Sequence, residues 1–117
     1  MKLAFSEQKQ WFFCSLPLGA LLRPMNLHNH TYEVENGEHD LKGTLKRIPD
    51  VKLGPDLNWL LRAKVDPVDF INRYGDRIVF LHLRDQKTDG AWSEAMGEGN
   101  MDYMAIGQAL RLSLIHI

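Results

Sequence analysis

Three short polar constellations have the residue types of a mixed nitrogen and oxygen metal site. They are His28-Asn29-His30 with Glu33 close behind, Asp56, and His82 followed by Asp85. Imidazole and carboxylate groups together suit Mn, Co, Zn, Fe or Mg. A single histidine or aspartate is more typical of a solvated surface than of a site, but all three constellations fall where a β-strand is predicted to end. We therefore interpret them as one candidate metal site.

The rest of the chain alternates between strand-like and helix-like patterns at short spacing, which favours βα units on a parallel sheet. The best-marked helix has Asp66 as its N-cap, Pro67 in its first turn and Gly75 at its end. Residues 78–81 form the continuous apolar run expected of a parallel strand that is buried on both faces. The sequence predicts a helical segment up to residue 22 and a short strand that ends at residues 28–30. It also predicts strands over residues 51–57 and 77–83, and helices over 40–48, 66–75 and 101–111.

This order of elements would gather the three constellations at one edge of the sheet. The carboxyl ends of parallel strands converge there, and ligands bind at that edge because the strands hold the loops rigidly. His28 and His30 are two residues apart at a strand end, so their side chains would point the same way.

Composition excludes several classes of partner. The 117 residues can form one domain with a core but not a closed eightfold barrel, which needs about 250 residues. A content of 44% hydrophobic and 25% charged residues, with a net charge of -1, gives no reason to expect nucleic acid or a membrane. The HNH string alone would suit a nuclease, but the chain has no basic patch. Cys14 has no second cysteine to pair with, so a reducing cytoplasm fits best.

The two ends of the chain differ in kind from its centre, because neither carries one of the polar constellations. The apolar run 11–22 is interrupted by Ser15, Pro17 and Gly19 and is shorter than the roughly 20 residues that a membrane span requires. We therefore predict no signal peptide or span. The final LSLIHI, residues 112–117, equals a direct translation of the transposase adapter used in sequencing-library preparation. We interpret it as an adapter-derived artefact, with a strand as the alternative.

The motifs between residues 27 and 110 resemble a known family in their order and spacing. They read HNH-x-x-E at 28–33, D-x-x-W at 56–59, D-P-x-x-x-I at 66–71, R-I-x-x-x-H-x-R-D at 77–85 and G-E-G-x-x-D at 97–102. This pattern is similar to that of sugar phosphate isomerases/epimerases of the xylose isomerase-like TIM-barrel group.

The resemblance implies an α/β fold, namely a partial (β/α)8 TIM barrel. It would comprise roughly the last three to four βα units and be truncated before the final strand. The implied division of the chain is a helical segment at 1–26, to which an incorrect start could contribute, then the C-terminal part of the barrel at 27–111, then the artefact at 112–117.

By this likeness Asp56 and His82 are metal ligands, and either Glu33 or His28 is the third. We favour Glu33, because a carboxylate better neutralises a hard divalent cation. His28 or His30 would then be the catalytic acid/base group or a contact to a substrate hydroxyl.

The likeness also indicates residues around the metal. Trp59 either walls the sugar pocket or packs over the barrel mouth. Arg84 stands where relatives usually carry Lys, so it would contact a substrate oxygen with a different geometry. Asp85 either orients His82 as a hydrogen-bond acceptor or is an N-cap or loop carboxylate. The turn at 97–99 would shape the loop over the site.

The implied reaction is proton abstraction next to a carbonyl, in which a divalent metal (Mn, Co, Zn, Mg or Fe) polarises substrate oxygens and stabilises the enediolate. The substrate would be a small sugar or sugar-derived molecule, and the full-length protein could form a homo-oligomer. A keto-sugar or inositol lyase or dehydratase of the same superfamily, and a non-catalytic sugar-binding fragment, stay open. Relatives carry a further metal-binding glutamate on the last strand, and no glutamate follows Glu98. We therefore expect the isolated chain to be inactive or poorly folded.

Overall fold

The computed structural model describes residues 26–93 and 95–114. The helical segment predicted before residue 26, Cys14 and the last three residues lie outside this part of the chain. The described elements, in chain order, are β1 (Asn26–Leu27), α1 (Thr31–Arg47), β2 (Lys52–Leu53), α2 (Leu57–Arg62), α3 (Pro67–Tyr74), a 3-10 turn (Gly75–Arg77), β3 (Asp85–Gln86), β4 (Trp92–Ser93) and α4 (Tyr103–Leu114).

The central sheet is short and parallel. β1 pairs with β2 in parallel register, and residues 78–82, here called the 78–82 segment, continue the sheet on the far side of β2. The 78–82 segment forms parallel bridges from Ile78 to Leu53 and from His82 to Asp56. Three chain segments therefore run side by side in one direction. The larger barrel stays a prediction.

The 78–82 segment corrects one expectation. The sequence predicts a strand buried on both faces, but Val79 is 52% exposed, and Phe80 and Leu83 are each 42% exposed. The segment has the bridges to β2 and no strand on its other side among the described residues, so half of its apolar side chains are left uncovered. Phe80 turns back over β2 instead, where its ring fills the space that a side chain at Gly54 would occupy.

Helix α1 begins nine residues earlier than predicted and is interrupted. Its first turn follows His30, whose backbone N–H donates to the Glu33 carboxylate at 2.7 Å. Residues 36–38 then adopt left-handed φ angles of 51°, 67° and 63°, which interrupt the helix. Arg73 holds the Glu38 carboxylate in this bend with two hydrogen bonds of 2.6 Å. The remainder of α1 matches the predicted helix at 40–48.

Two further elements differ from the expectation. The strand predicted at 51–57 ends early, because Asp56 caps a short helix, α2, that the sequence analysis missed. Gly75 ends α3 as predicted, but with right-handed angles that lead into the 3-10 turn rather than a left-handed cap. Glycine is needed here for another reason, since a Cβ would lie 2.4 Å from the Ser113 hydroxyl of α4.

The core lies between the helices and the parallel segments, with α3 packed against α4. Its buried apolar residues are Leu27, Val34, Leu41, Val51, Leu53, Leu57, Leu60, Phe70, Ile71, Met101, Ile106 and Ala109. The helix α4 runs through residue 114, so residues 112–114 are helical and not a strand. No helix in the described ranges is both long enough and apolar enough to cross a membrane.

Candidate metal centre

His28, Asp56 and His82 meet at the carboxyl end of the parallel segments. His28 Nε2 lies 2.9 Å from His82 Nδ1, and the Oδ2 atom of Asp56 lies 3.7 Å from each of these nitrogens. The Asp56–His82 bridge explains the contact, because it sets the two residues opposite each other on adjacent segments. Within the described residues this is the one group of three His, Cys, Asp or Glu side chains close enough to share a metal ion.

The spacing of the three atoms suits a small divalent cation. A point equidistant from them lies about 2.0 Å from each, which is close to usual Zn–N and Zn–O distances. Without an ion, two imidazole nitrogens 2.9 Å apart must share a hydrogen bond, in which one nitrogen carries the proton and the other accepts it. With an ion, both lone pairs and the carboxylate oxygen are satisfied together. The donor set therefore fits a divalent metal.

Asp56 is positioned by neighbours that leave one of its oxygens free. The Asn29 amide brackets its peptide group: Asn29 Oδ1 accepts from the Asp56 N–H at 3.0 Å, and Asn29 Nδ2 donates to the Asp56 carbonyl at 3.4 Å. Its Oδ1 accepts from the Asn58 N–H at 3.1 Å, as an N-cap of α2 should. Its Oδ2 is buried and has no hydrogen-bond partner among the described residues.

The electrostatic surroundings keep Asp56 ionised. Burial alone would raise the pKa of its carboxyl, but the adjacent His28 and the Arg84 guanidinium outweigh it and hold the pKa below its usual range. Arg84 reaches within 3.7 Å of Oδ2. Arg84 offsets the charge of Oδ2, but this buried oxygen accepts no hydrogen bond from the described residues and also faces two imidazoles. This arrangement is typical of a metal ligand.

Glu33, the favoured third ligand in the sequence analysis, lies elsewhere. Its fully buried carboxylate accepts from the His30 N–H and is 3.9 Å from His30 Nδ1. Burial raises the pKa of Glu33. The structure thus gives Glu33 a helix-capping contact and brings His28 into the cluster with Asp56 and His82. The spacing of the HNH-x-x-E motif could not separate these roles, because either side chain can follow a strand end.

His30 lies beside the cluster and next to aromatic rings. Its ring centroid is 5.3 Å from that of His28, 5.6 Å from Trp59, and 5.7 Å from Tyr32, with which it stacks. Burial, and then the neighbouring His28, lower the pKa of His30. Its imidazole is therefore neutral at neutral pH and can accept a proton.

Asp85 does not contact His82 and instead binds the glycine-rich loop. Four backbone N–H groups donate to its fully buried carboxylate at 2.9 to 3.2 Å, those of Gln86, Gly97, Gly99 and Met101. Burial would raise the pKa of Asp85, but these donors lower it. Of the two interpretations of Asp85, these contacts agree with a carboxylate that binds a loop and not with one that orients His82. Gly99 is needed because a Cβ there would lie 2.3 Å from the Gln86 carbonyl.

An aromatic and cationic rim borders the site. Trp59 packs edge-on against Trp92 at 5.3 Å, and the Arg84 guanidinium lies over Trp92 at 4.6 Å. Arg62 stacks on the same indole at 3.6 Å. Trp59 and Arg84 were predicted from the sequence, whereas Trp92 was not, because the β3–β4 hairpin brings it to Trp59 across more than thirty intervening residues. The role of Asn29 was also not predicted, although the HNH string contains it.

Comparison of the chain with protein-family models, with curated proteins and with solved structures gave no match.

Proposed function

We propose that this chain carries the divalent-metal site of a sugar isomerase or epimerase, with His28, Asp56 and His82 as ligands. The observation that carries the proposal is the buried Oδ2 atom of Asp56, which lacks a hydrogen-bond partner in the described chain and lies 3.7 Å from two imidazole nitrogens. The motif resemblance supplies the class of reaction.

A bound divalent ion would polarise a substrate carbonyl or hydroxyl oxygen and stabilise the negative charge that develops when a neighbouring carbon loses its proton. The His30 imidazole would accept or return that proton, since it lies beside the ligands and its lowered pKa favours the neutral ring. Asn29 keeps Asp56 in place through its peptide group. Trp59 and Trp92 would exclude water from one side of the substrate.

Metal titration of the purified, tag-free chain tests the proposal. We expect one equivalent of Mn²⁺, Zn²⁺ or Co²⁺ to bind, measured by isothermal titration calorimetry, and the Co²⁺ absorption spectrum to report nitrogen and oxygen ligands. The substitution Asp56→Asn should lower the metal affinity by at least about 100-fold, because losing even an outer contact of a metal ligand costs about 10- to 100-fold.

Asp66→Asn is the matched control for that experiment. Asp66 also caps a helix, accepting from the Val68 N–H at 2.8 Å, and it is exposed and lies outside the metal-ligand group found in the described residues. Its variant makes the same chemical change at an equivalent position, so its metal affinity should equal that of the wild type. Equal affinities for wild type and Asp56→Asn, or no saturable binding at all, would contradict the metal site and favour a non-catalytic sugar-binding fragment.

A further inference from the structure

Arg84 is an exposed charged group at the edge of the site. Its side chain is 45% exposed, and its guanidinium lies 3.7 Å from Asp56 Oδ2 and 4.6 Å from the centre of the Trp92 ring. Within residues 26–93 and 95–114 this guanidinium donates no hydrogen bond. The backbone carbonyl of Arg84 accepts from Asn58 and Tyr103, so the position of the chain does not depend on the side chain.

Arg62 lies over the same Trp92 indole, but its guanidinium is hydrogen-bonded to other parts of the fold. Its Nε donates to the Gln86 side chain at 2.9 Å, and it also donates to the Gly90 carbonyl at 2.6 Å. These bonds tie α2 to the β3–β4 hairpin and hold the Arg62 guanidinium against the hairpin. The two arginines share Trp92, but Arg84 is the one whose guanidinium also lies within 3.7 Å of the candidate ligand Asp56.

Metal binding would remove the charge that Arg84 now faces. Asp56 supplies the one carboxylate oxygen close to both Arg84 and the two imidazoles. A divalent ion on that oxygen outweighs its single negative charge, so Arg84 and the ion together create a positive site. The other buried aspartate nearby, Asp85, is occupied by backbone N–H groups. An anionic ligand would restore the charge balance.

The shape of the donor set indicates which anion. A planar guanidinium forms two parallel hydrogen bonds with a carboxylate or with a phosphate, so it binds either anion. Phosphate sites usually add backbone N–H groups at a helix N-terminus, and here Asp56 already caps the N-terminus of α2. We infer that Arg84 binds the carboxylate of the ligand, so that the metal-loaded site prefers a polyhydroxy acid to a neutral sugar. This inference rests on the proposed metal site and narrows its substrate class.

The test compares gluconate with glucitol, which has the same carbon chain and no charge. Both are titrated into the metal-saturated chain, with gluconate titrated into the metal buffer as the blank for chelation. We expect gluconate to bind about 10-fold or more tightly than glucitol, the typical effect of a charge-assisted hydrogen bond. Arg84→Gln should abolish this preference without reducing metal affinity.

Arg47→Gln is the matched control, since Arg47 is exposed in the last turn of α1, away from the strand ends that form the site. Its variant should keep the preference for gluconate. Equal binding of the two compounds by the metal-loaded wild type, or a preference that survives Arg84→Gln, would overturn the inference. Metal affinity is measured separately on the same samples, so failure of the metal site and failure of the carboxylate preference are distinguishable.

Discussion

Asp56 and Asp85 are both fully buried and both follow segments of the parallel sheet, yet their surroundings differ. Asp85 accepts hydrogen bonds from four backbone N–H groups. Asp56 accepts one, at Oδ1, while its Oδ2 faces His28, His82 and Arg84 at 3.7 Å each. Both carboxyls have lowered pKa values, but neutral dipoles cause the shift at Asp85, and a histidine and an arginine cause much of it at Asp56.

The difference separates a carboxylate that holds the fold from one that is available to a ligand. A buried ion costs free energy unless hydrogen bonds or opposite charges compensate it. At Asp85 four backbone N–H groups compensate the charge, and three of these hydrogen bonds hold the loop at residues 97–101 in place. At Asp56 the compensation is left incomplete on the side that faces two imidazoles. Burial alone would not distinguish the two residues, whereas the count of satisfied oxygen atoms does.

The same substitution at both positions should produce the largest contrast. Asp85→Asn replaces an acceptor oxygen with an amide group whose hydrogens oppose the backbone donors of the loop. We expect a loss of about 3 kcal/mol in the free energy of unfolding, because buried donors are left without acceptors. Asp56→Asn should change the unfolding free energy by less than about 1 kcal/mol, since asparagine also caps helices. Urea denaturation followed by circular dichroism measures both.

Comparable losses for the two variants would break the comparison, because Asp56 would then be as structural as Asp85. Metal-free buffer with a chelator is required, since a bound ion would stabilise the wild type and exaggerate the effect at Asp56.

The sequence predicted the parallel order and the meeting of Asp56 with His82, because strand ends of βα units converge whatever their exact lengths. The sequence did not predict whether His28 or Glu33 is the third candidate metal ligand. His28 and Glu33 are five residues apart and both follow β1, so their separation depends on where α1 begins. The helix starts at Thr31 and carries Glu33 back to cap its own N-terminus, a local hydrogen bond that the motif spacing does not reveal.

Other misses have a common physical origin in contacts between distant segments. The apolar run at 78–81 predicts burial on both faces, but burial depends on a neighbour that hydrophobicity cannot supply. Trp92 reaches the rim through pairing of β3 with β4, two strands of two residues each. The bend at residues 36–38 depends on Arg73 from another helix. Local capping signals, as at Asp66, were predicted correctly because their partners lie within three residues.

The stability that the ionised Asp85 carboxylate contributes should be lost in acid. The pKa of Asp85 is lower in the folded chain than in the unfolded one, so its contribution to stability is present above the unfolded-state value of about 3.9 and is lost as pH falls through the folded-state value. We expect Asp85→Asn to lose less stability than the wild type over this range, by on the order of 1 kcal/mol. Urea midpoints measured from pH 5 down to pH 2.5 test this, and identical acid dependence in both proteins would contradict it.

Glu33→Gln should give the smallest effect and the opposite sign. Burial raises the pKa of Glu33, so the folded chain holds the proton more tightly than the unfolded chain, and stability falls as pH rises from the unfolded-state value through the folded-state one. Glutamine is uncharged and can still accept from the His30 N–H. We expect a gain of about 0.5 kcal/mol in unfolding free energy at pH 7 and none at pH 4.

The metal affinity of the same variant decides between the two assignments of Glu33. If it only caps α1, Glu33→Gln binds the ion as the wild type does, while Asp56→Asn does not. A loss of affinity in both variants would mean that Glu33 reaches the ion, as the motif resemblance implies, and that its buried Oε1, like Oδ2 of Asp56, is a ligand atom without its cation. The contrast between compensated and available carboxylates would then extend to a third residue.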